Sequence, residues 1–309
     1  MLARVRSGAT FVRALLLVFV AASLSARAPA EAGTLVLYEI DGSAVRVVDA
    51  FSGTLLRVFH PPNPATDIAV GTNQNVVVAS THPATGDLVI SRYAPFVDRP
   101  FSTIVLPPYV GHVAVSAADE LAVTLDCQPA GNCNNCPRKT NGVLFYEDGA
   151  LQPSRSVSFC PDHFSLGFSK PAYDGFGTLW VRAPRSAQED WFAAFAPGST
   201  TFRTLKLRTN ERALGVAEPV LDPAGNLLVL YKDHVTAWNP ATGAPTYRIP
   251  IEGYFNDRFS RMQVSPDGHD LFVASMGGFI EVYDLAAGGG KPVAAYRAGG
   301  MGVFALGYE

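Results

Sequence analysis

Cysteine residues form the most specific chemical pattern in this chain. Cys127, Cys133 and Cys136 lie close together, with a Cys-x-x-Cys spacing between the last two, and Cys160 follows. Thiols in this arrangement pair as disulfides in an oxidising compartment, whereas zinc binding would use Cys133 and Cys136 with His163 as a further ligand. We expect two disulfides. Three pairings are open, and we favour Cys127–Cys133 with Cys136–Cys160.

Histidines are the candidates for acid–base chemistry. Five of the six lie in or beside connections between apolar segments, and Asp162 directly precedes His163. An imidazole can ligate a metal or act as a general base near neutral pH. The catalytic candidates are therefore His112, Asp162 and His163, and the alternative is that these histidines are solvated loop residues.

Other connections carry groups that suit ligand binding. The neighbours Asp257 and Arg258, and Arg212 beside Glu211, would hold a polar or anionic ligand, although surface ion pairs are the more common role of such residues. Aromatic side chains there would stack on a sugar ring or grip a peptide, or simply cover the interior. The ligand-binding candidates are His60, Tyr109, Arg212, Tyr254, Asp257 and Arg258. Trp180, Trp191 and Trp238 fall within apolar segments and are expected to serve in packing.

The N-terminal 30 residues have the pattern of a secretory signal peptide. Arg4, Arg6 and Arg13 precede a short apolar run from Ala14 to Ala26, and the small residues APA end at position 30. The run is shorter than the ~20 residues that span a bilayer. We predict cleavage before Glu31, an exported protein that is periplasmic or secreted, and no membrane insertion after cleavage.

The charge of the remaining chain restricts its partners. Residues 1–30 hold four of the 24 basic residues and no acidic residue, so 20 basic and 27 acidic residues remain, a net charge of −7. An acidic chain without a cluster of lysine or arginine does not suit nucleic acid or an anionic membrane surface. Neither is an expected partner.

A repeat organises the chain from residue 31 to residue 309. VSPDGHDLFVAS (264–275) is matched by VLDPAGNLLVLY (220–231) and AYDGFGTLWVRA (172–183), with weaker copies at 114–125 and 69–80. Each copy is a strand end, a polar turn and an apolar strand, and further hairpins follow. Units of about 41–58 residues with this layout are typical of four-stranded propeller blades.

The repeats predict an all-β, six-bladed propeller in a single domain. Five complete units begin near Ala65, His112, Phe168, Val216 and Ser260, and residues 34–59 supply three further strands. The strand near the end of the chain, GMGVFALGYE, would complete the first blade and close the ring, which protects a sheet edge. A seven-bladed ring is the main alternative. Connections after the second and fourth strands of each blade share one face, which we call the loop-rich face, and all the site candidates above lie there or at its rim.

The blades resemble two known repeat types. SPDGHDLFVAS followed by IEVYDLAAG resembles the YVTN-type repeat of exported bacterial propellers, and DGFGTLWV and DPAGNLLVL resemble NHL-type or streptogramin-lyase-like blades. Six-bladed relatives include calcium-dependent lactone hydrolases, quinone-dependent sugar dehydrogenases, antibiotic lyases and binding scaffolds. The Glu-Gly-Pro opening of the lactonases is absent, since the first unit reads LYEIDGS.

Two functions are compatible with these features. The first is a non-catalytic binding scaffold for a protein, peptide or glycan at the loop-rich face, which we favour because no catalytic constellation stands out. The second is a hydrolase or lyase with its site at the mouth of the central channel, with metal dependence open. No cofactor is predicted. The resemblance to calcium-dependent lactone hydrolases makes calcium the cofactor to test.

Overall fold

The structure is a computed structural model, and it describes residues 33–108, 110–126, 142–158, 170–182, 191–209, 211, 219–251, 261–274, 278–288, 290–299 and 303–309. Residues 33–309 form one compact unit. All 24 strands belong to six four-stranded antiparallel sheets, and the described residues contain no helix. The six-bladed propeller predicted from the repeats is confirmed. In the described part of the chain, no helix is long and apolar enough to cross a membrane.

The first three blades occupy the N-terminal half of the chain, and each is given from the channel outwards. Blade 1 is β24 (Phe304–Tyr308), β1 (Leu35–Asp41), β2 (Ala44–Asp49) and β3 (Leu55–Phe59). Blade 2 is β4 (Ala65–Val70), β5 (Val76–Thr81), β6 (Leu88–Tyr93) and β7 (Ser102–Leu106). Blade 3 is β8 (Val110–Val115), β9 (Leu121–Asp126), β10 (Gly142–Tyr146) and β11 (Arg155–Ser158).

The other three blades repeat the same meander. Blade 4 is β12 (Ala172–Tyr173), β13 (Leu179–Arg182), β14 (Trp191–Phe195) and β15 (Arg203–Lys206). Blade 5 is β16 (Val220–Leu221), β17 (Leu227–Leu230), β18 (His234–Trp238) and β19 (Pro245–Pro250). Blade 6 is β20 (Arg261–Val264), β21 (Asp270–Ala274), β22 (Phe279–Asp284) and β23 (Ala294–Arg297).

The turn between the first and second strands explains why the repeat is recognisable. In blade 5, Asp222 Oδ1 accepts the Asn226 backbone N–H at 2.7 Å, and Gly225 has φ +79°. A residue without Cβ adopts this left-handed conformation at little cost. Blades 2 and 3 place Gln74 (φ 62°) and Asp119 (φ 59°) at the equivalent position. The turn is therefore kept where the sequence match is weak.

Closure of the ring takes place in blade 1. Strand β24 pairs antiparallel with β1, with Leu306 opposite Leu37, and the backbones of Thr34 and Glu309 exchange hydrogen bonds of 2.7 and 2.9 Å. The Glu309 carboxylate adds an ion pair of 2.7 Å to Arg57 of β3. This is the closure that the sequence predicted, and it leaves no incomplete blade.

Apolar side chains fill the spaces between neighbouring blades. One buried cluster joins blades 4, 5 and 6 and includes Trp180, Leu228 and Met262, and others join blades 1 and 2, 2 and 3, 3 and 4, and 6 and 1. Burial of this apolar surface drives the blades together. Trp180 and Trp238 are 1% and 3% exposed and both belong to the first cluster, as expected for packing residues. The strands thus hold the connections of the loop-rich face on a rigid ring.

Candidate functional site

A buried carboxylate stands at the centre of the ring. Asp67 of β4 is fully buried, and its Oδ2 accepts the Val113 backbone N–H at 2.9 Å. Three basic side chains surround it: Lys170 Nζ lies 3.3 Å from Oδ1, Arg261 Nη1 3.6 Å from Oδ1 and His112 Nδ1 3.4 Å from Oδ2. We call Asp67, His112, Lys170 and Arg261 the channel cluster.

The propeller geometry brings the channel cluster together. Its members lie on or just before the innermost strands β4, β8, β12 and β20, near the ends where these strands leave the loop-rich face. Lys170 Nζ also donates to the carbonyl oxygens of Ile68, at 2.5 Å, and Phe304, at 3.5 Å. Side chains and carbonyls from blades 1, 2, 3, 4 and 6 therefore meet at one point on the axis.

Electrostatics keep Asp67 ionised. Burial on its own acts to raise the pKa of this carboxyl, because a charge is poorly solvated inside the protein. The nearby Lys170, His112 and Arg261 outweigh burial and hold the pKa of Asp67 well below its usual range. Asp67 is consequently a fixed negative charge at neutral pH and not a proton donor.

A cavity of about 310 Å³ adjoins the cluster. Lys170 lines it, and so do residues further along the innermost strands, among them Val115, Leu221 and Leu306. These strands run from the loop-rich face towards the opposite face, so the cavity follows the channel in that direction. Lys170 is the member of the channel cluster that lines the cavity.

A second cavity, of about 550 Å³, lies beside blade 5, and we call it the blade-5 pocket. It lies between strands β18 and β19 and the segment that follows blade 4. The lining residues used below are Arg208, Glu211, Tyr231, Thr236, Trp238, Thr246, Tyr247 and Arg248. Arg208, Glu211 and Tyr231 belong to connections on the loop-rich face, so the pocket reaches that face.

A buried histidine organises one end of the blade-5 pocket. His234, the first residue of β18, is 3% exposed and stacks on Tyr231, with ring centroids 4.8 Å apart. Its Nε2 lies 3.0 Å from Glu211 Oε2 and its Nδ1 lies 2.6 Å from Asp233 Oδ1. Arg248 Nη2 is also 2.6 Å from Nδ1. We call His234, Glu211, Asp233 and Arg248 the His234 network.

Carboxylates face both ring nitrogens of His234, with Asp233 at Nδ1 and Glu211 at Nε2. An ionised carboxylate only accepts hydrogen bonds, so each of these contacts uses a ring N–H as the donor. The hydrogen bond from Nδ1 lowers the pKa of Asp233. Arg248 then acts through its attraction to Glu211 and Asp233, at 3.6 and 3.9 Å, and not as a donor to the ring. The network holds two carboxylates and one guanidinium at the pocket rim.

The other end of the pocket holds an unused hydrogen-bond donor. Trp238 is 3% exposed, and its buried Nε1–H has no acceptor among the residues that the structure describes. By contrast, Trp180 Nε1 donates to Asp174 Oδ2 at 3.1 Å. Buried polar groups nearly always have a partner, and a site without one requires an explanation. Trp238 is among the residues that line the pocket, but its Nε1 atom is covered by the surrounding protein.

Neighbouring side chains at this end are fixed. The Tyr247 hydroxyl donates to Asp222 Oδ2 at 2.6 Å, and burial followed by this contact raises the pKa of Tyr247. Thr246 Oγ1 donates to the carbonyl oxygen of Ala237 at 2.9 Å. The pocket is therefore preformed.

The predicted site residues fall into two groups. His112 belongs to the channel cluster, and His60 is exposed and follows β3, the outermost strand of blade 1. The other candidates lie outside the described residues: Tyr109, Cys127, Cys133, Cys136, Cys160, Asp162, His163, Arg212, Tyr254, Asp257 and Arg258. The two predicted disulfides, the zinc alternative and the signal peptide fall there as well.

Sequence reasoning missed the residues that the structure brings together. Asp67, Lys170 and Arg261 were not singled out, and Trp238 was assigned to packing alone. One signal was present, since Asp67 is the single charged residue in the strand ATDIAV. Within the described ranges, no group of three His, Cys, Asp or Glu side chains is placed to hold a metal ion.

Comparison with known proteins supports the fold. No family model and no curated protein matches the chain. Apo AztD from Citrobacter koseri is similar in structure, with a TM-score of 0.52 and 12% identity over 89% of this chain and 98% of that one. A protein of unknown function from Bacteroides caccae is similar with a TM-score of 0.64 and 10% identity over 90% of this chain and 100% of that one. At these identities the likeness is one of fold.

Proposed function

We propose that this protein is a non-catalytic binding propeller whose ligand, a protein, peptide or glycan, enters at the loop-rich face and occupies the blade-5 pocket. The observation that carries the proposal is the blade-5 pocket itself, a cavity of about 550 Å³ that reaches the loop-rich face and is lined by charged and aromatic side chains. Ligand sites combine such cavities with a few oriented polar groups. The fixed His234 network and Tyr247 supply those groups.

The state of the channel cluster favours binding over catalysis. A general base must release and regain a proton during turnover. Asp67 is held ionised by its basic neighbours, and Lys170 is engaged by the carbonyl of Ile68 as well as by Asp67. Both groups have their charge committed within the fold.

Array binding tests the proposal. Labelled wild-type protein would be applied to glycan and peptide arrays beside Trp238→Phe and a control, Trp191→Phe, which changes a tryptophan of blade 4 that is not among the pocket residues. We expect a wild-type signal that falls severalfold in Trp238→Phe, because the smaller ring changes the wall of the pocket, and that is retained in the control. A wild-type signal that both variants keep would exclude the pocket, and no signal on either array would overturn the proposal.

A hydrolase is the second candidate, because His112 places a partly exposed imidazole beside a buried carboxylate. Its Nδ1 lies 3.4 Å from the buried Asp67 carboxylate, and the side chain is 19% exposed. A carboxylate behind an imidazole fixes its orientation and tautomer. Chromogenic esters and lactones, with and without calcium, would be assayed against wild type, His112→Gln and the exposed control His60→Gln. Turnover that only His112→Gln abolishes would favour the enzyme.

Export and blade type complete the proposal. The N-terminal pattern of residues 1–30 supports export, and mass spectrometry of protein recovered from the periplasm or medium would detect cleavage before Glu31. The Asp- and Gly-containing turns at Asp174, Asp222 and Ser265 support assignment to the YVTN or NHL type of blade.

A further inference from the structure

We propose that two copies of this chain associate through an exposed apolar surface on the outer rim of blades 1 and 2. We call this surface the rim patch. It consists of large apolar side chains of β3 and of the β6–β7 hairpin: Leu55, Leu56, Val58, Phe96, Phe101 and Val105. The association does not depend on what the blade-5 pocket binds.

Contacts between the two blades make the rim patch one surface. Arg57 of β3 lies beside Phe96, with its Cζ 5.9 Å from the ring centroid, and its Nη1 forms an ion pair of 2.9 Å with Asp98. On β7, Ile104 packs into the cluster that joins blades 2 and 3, so the alternating side chain of Val105 points towards blade 1. Both blades therefore present apolar side chains to the same stretch of the rim.

The backbone of Phe96 is an independent sign that the exposure of its ring has a use. Phe96 has φ +62° and is 64% exposed. Bulky side chains rarely adopt this left-handed conformation, which costs free energy and is typical of functional positions. The other described non-glycine residues with positive φ, Gln74 and Asp119, lie in polar turns. Burial of the Phe96 ring against a partner would offset the cost of its conformation.

Other outer strands carry protection that β3 lacks. Strand β15 has the exposed residues Arg203 and Lys206, and β19 begins and ends with Pro245 and Pro250. Charges and prolines at a sheet edge discourage association. Strand β3 contains no proline, and the charge of Arg57 is neutralised by the ion pairs already described. The rim patch is therefore apolar at an edge where other blades are polar or blocked.

A second copy is the partner that fits this surface. Strand β3 has a β-bulge at Leu56, between its pairs with Val47 and Val48, which leaves three residues in regular register. Such a short edge does not hold an extended peptide, so a partner must pack through side chains. Arg99 is the one charge of the hairpin without an ion pair in the described residues, too little to select a charged partner. The same patch on a second copy is apolar, and a two-fold axis makes the contact self-limiting.

The area of the rim patch is sufficient for a dimer. Its six side chains are 38–64% exposed, which for residues of this size leaves on the order of 600 Å² of apolar surface. A standard interface buries about 800 Å² per partner, of which roughly 450–500 Å² is apolar. The patch alone supplies this apolar part, and neighbouring polar residues would form the rim of the interface.

Association at this place leaves the ligand site accessible. The turns before β3 and β7 join the third and fourth strands of their blades, so they lie away from the loop-rich face. A dimer would carry two equivalent loop-rich faces, and binding at one would raise the effective concentration at the other for a repetitive ligand.

Sedimentation equilibrium of purified protein expressed from the full chain tests the proposal. We expect a mass that rises from monomer towards dimer over about 1–100 μM, because association follows mass action. Leu56→Lys should raise the dimer dissociation constant about tenfold or more, since the ammonium group would lose water at the interface. Leu151→Lys is the matched control, because Leu151 is 55% exposed against 50% for Leu56 and lies in blade 3. It should leave the dissociation constant unchanged.

Phe96→Gly separates association from folding. Glycine adopts φ +62° at little cost, so the melting temperature at a concentration where the protein is monomeric should not fall. The dimer dissociation constant should nevertheless rise severalfold, because the exposed ring is lost. A protein that stays monomeric at every concentration would overturn the proposal. So would a dimer that Leu56→Lys and Phe96→Gly both leave intact, or one that Leu151→Lys weakens to the same degree.

Discussion

The channel cluster and the His234 network both place a histidine beside a carboxylate, and they differ in which partner is buried. In the channel, Asp67 is fully buried and His112 is 19% exposed. In blade 5, His234 is 3% exposed whereas the side chains of Glu211 and Asp233 are 53% and 78% exposed. The buried member of each pair decides the role of the site. A charge enclosed in the protein must be neutralised by neighbouring groups of the fold, whereas an exposed charge can contact a ligand.

The channel cluster is consequently part of what holds the ring together. It links innermost segments of several blades through one carboxylate and one ammonium, while the His234 network lies within and beside blade 5. The comparison teaches that two sites with the same residue types serve different purposes. Four measurements test that difference, and they are taken from the largest expected effect to the smallest.

Replacement of Asp67 is expected to have the largest effect on stability. Asp67→Asn leaves Lys170 and Arg261 facing a neutral amide in a buried site. Removing one partner of a buried charged cluster costs about 3–5 kcal/mol in free energy of unfolding. Urea denaturation of the purified protein measures this value. A loss below about 1 kcal/mol would mean that Asp67 contributes no more to stability than an exposed carboxylate does. The contrast between the channel cluster and the His234 network would then be lost.

A second substitution sharpens the interpretation of the first. If Asp67 and Lys170 stabilise the fold mainly through each other, Asp67→Asn with Lys170→Met should cost less than the two single changes together, with a coupling energy of about 1–3 kcal/mol. Denaturation of all four proteins gives the coupling. Strictly additive losses would mean that the Ile68 and Phe304 carbonyls, and not Asp67, are the important partners of Lys170.

Acid titration should distinguish wild type from Asp67→Asn. The pKa of Asp67 is lowered in the folded state, so its contribution to stability is complete above the unfolded-state pKa of about 4 and is lost as the pH falls towards the folded-state pKa. Wild type should therefore lose stability more steeply than Asp67→Asn below about pH 5. Glu39, whose pKa burial raises, acts in the opposite sense but is present in both proteins. Parallel curves would contradict the assignment.

Glu211→Gln is expected to have the smallest effect. The Glu211 side chain is half exposed, and ion pairs of exposed groups contribute about 0–1 kcal/mol. The free energy of unfolding should change by less than about 1 kcal/mol, as measured by the same urea method. A loss as large as that for Asp67→Asn would show that the His234 network also supports the fold.

The sequence predicted the ring because its turns carry local signals. The four-residue turn of blade 5 requires residue types such as Asp222 and Gly225 at fixed positions, and these types can be recognised wherever the turn recurs. The closing strand followed from counting strands. Blades 2 and 3 were harder to recognise, since Gln74 and Asp119 adopt a left-handed conformation that residue type does not reveal.

The site was less predictable because its contacts depend on how the blades are arranged in the ring, and not on residues that are close in sequence. Lys170 reaches Ile68 and Phe304, which are distant in sequence and meet it only at the axis. His112 was recognised as a polar residue at a strand start, but its partner Asp67 was not. Trp238 was correctly expected to pack, and only the coordinates reveal that its N–H has no acceptor in the described part of the chain.

The pairing of β24 with β1 also bears on how fast the ring opens. Strand β24 follows all the other strands in the chain, so blade 1 is the one sheet that joins distant segments, and its separation exposes β4 and the Lys170 contact with Phe304. Thr34 and Glu309 are hydrogen-bonded neighbours. A circular permutant that links them and begins at Ala65 would build every blade from consecutive strands. Its unfolding rate, set against that of the natural order, isolates the kinetic barrier that this interlocked blade provides.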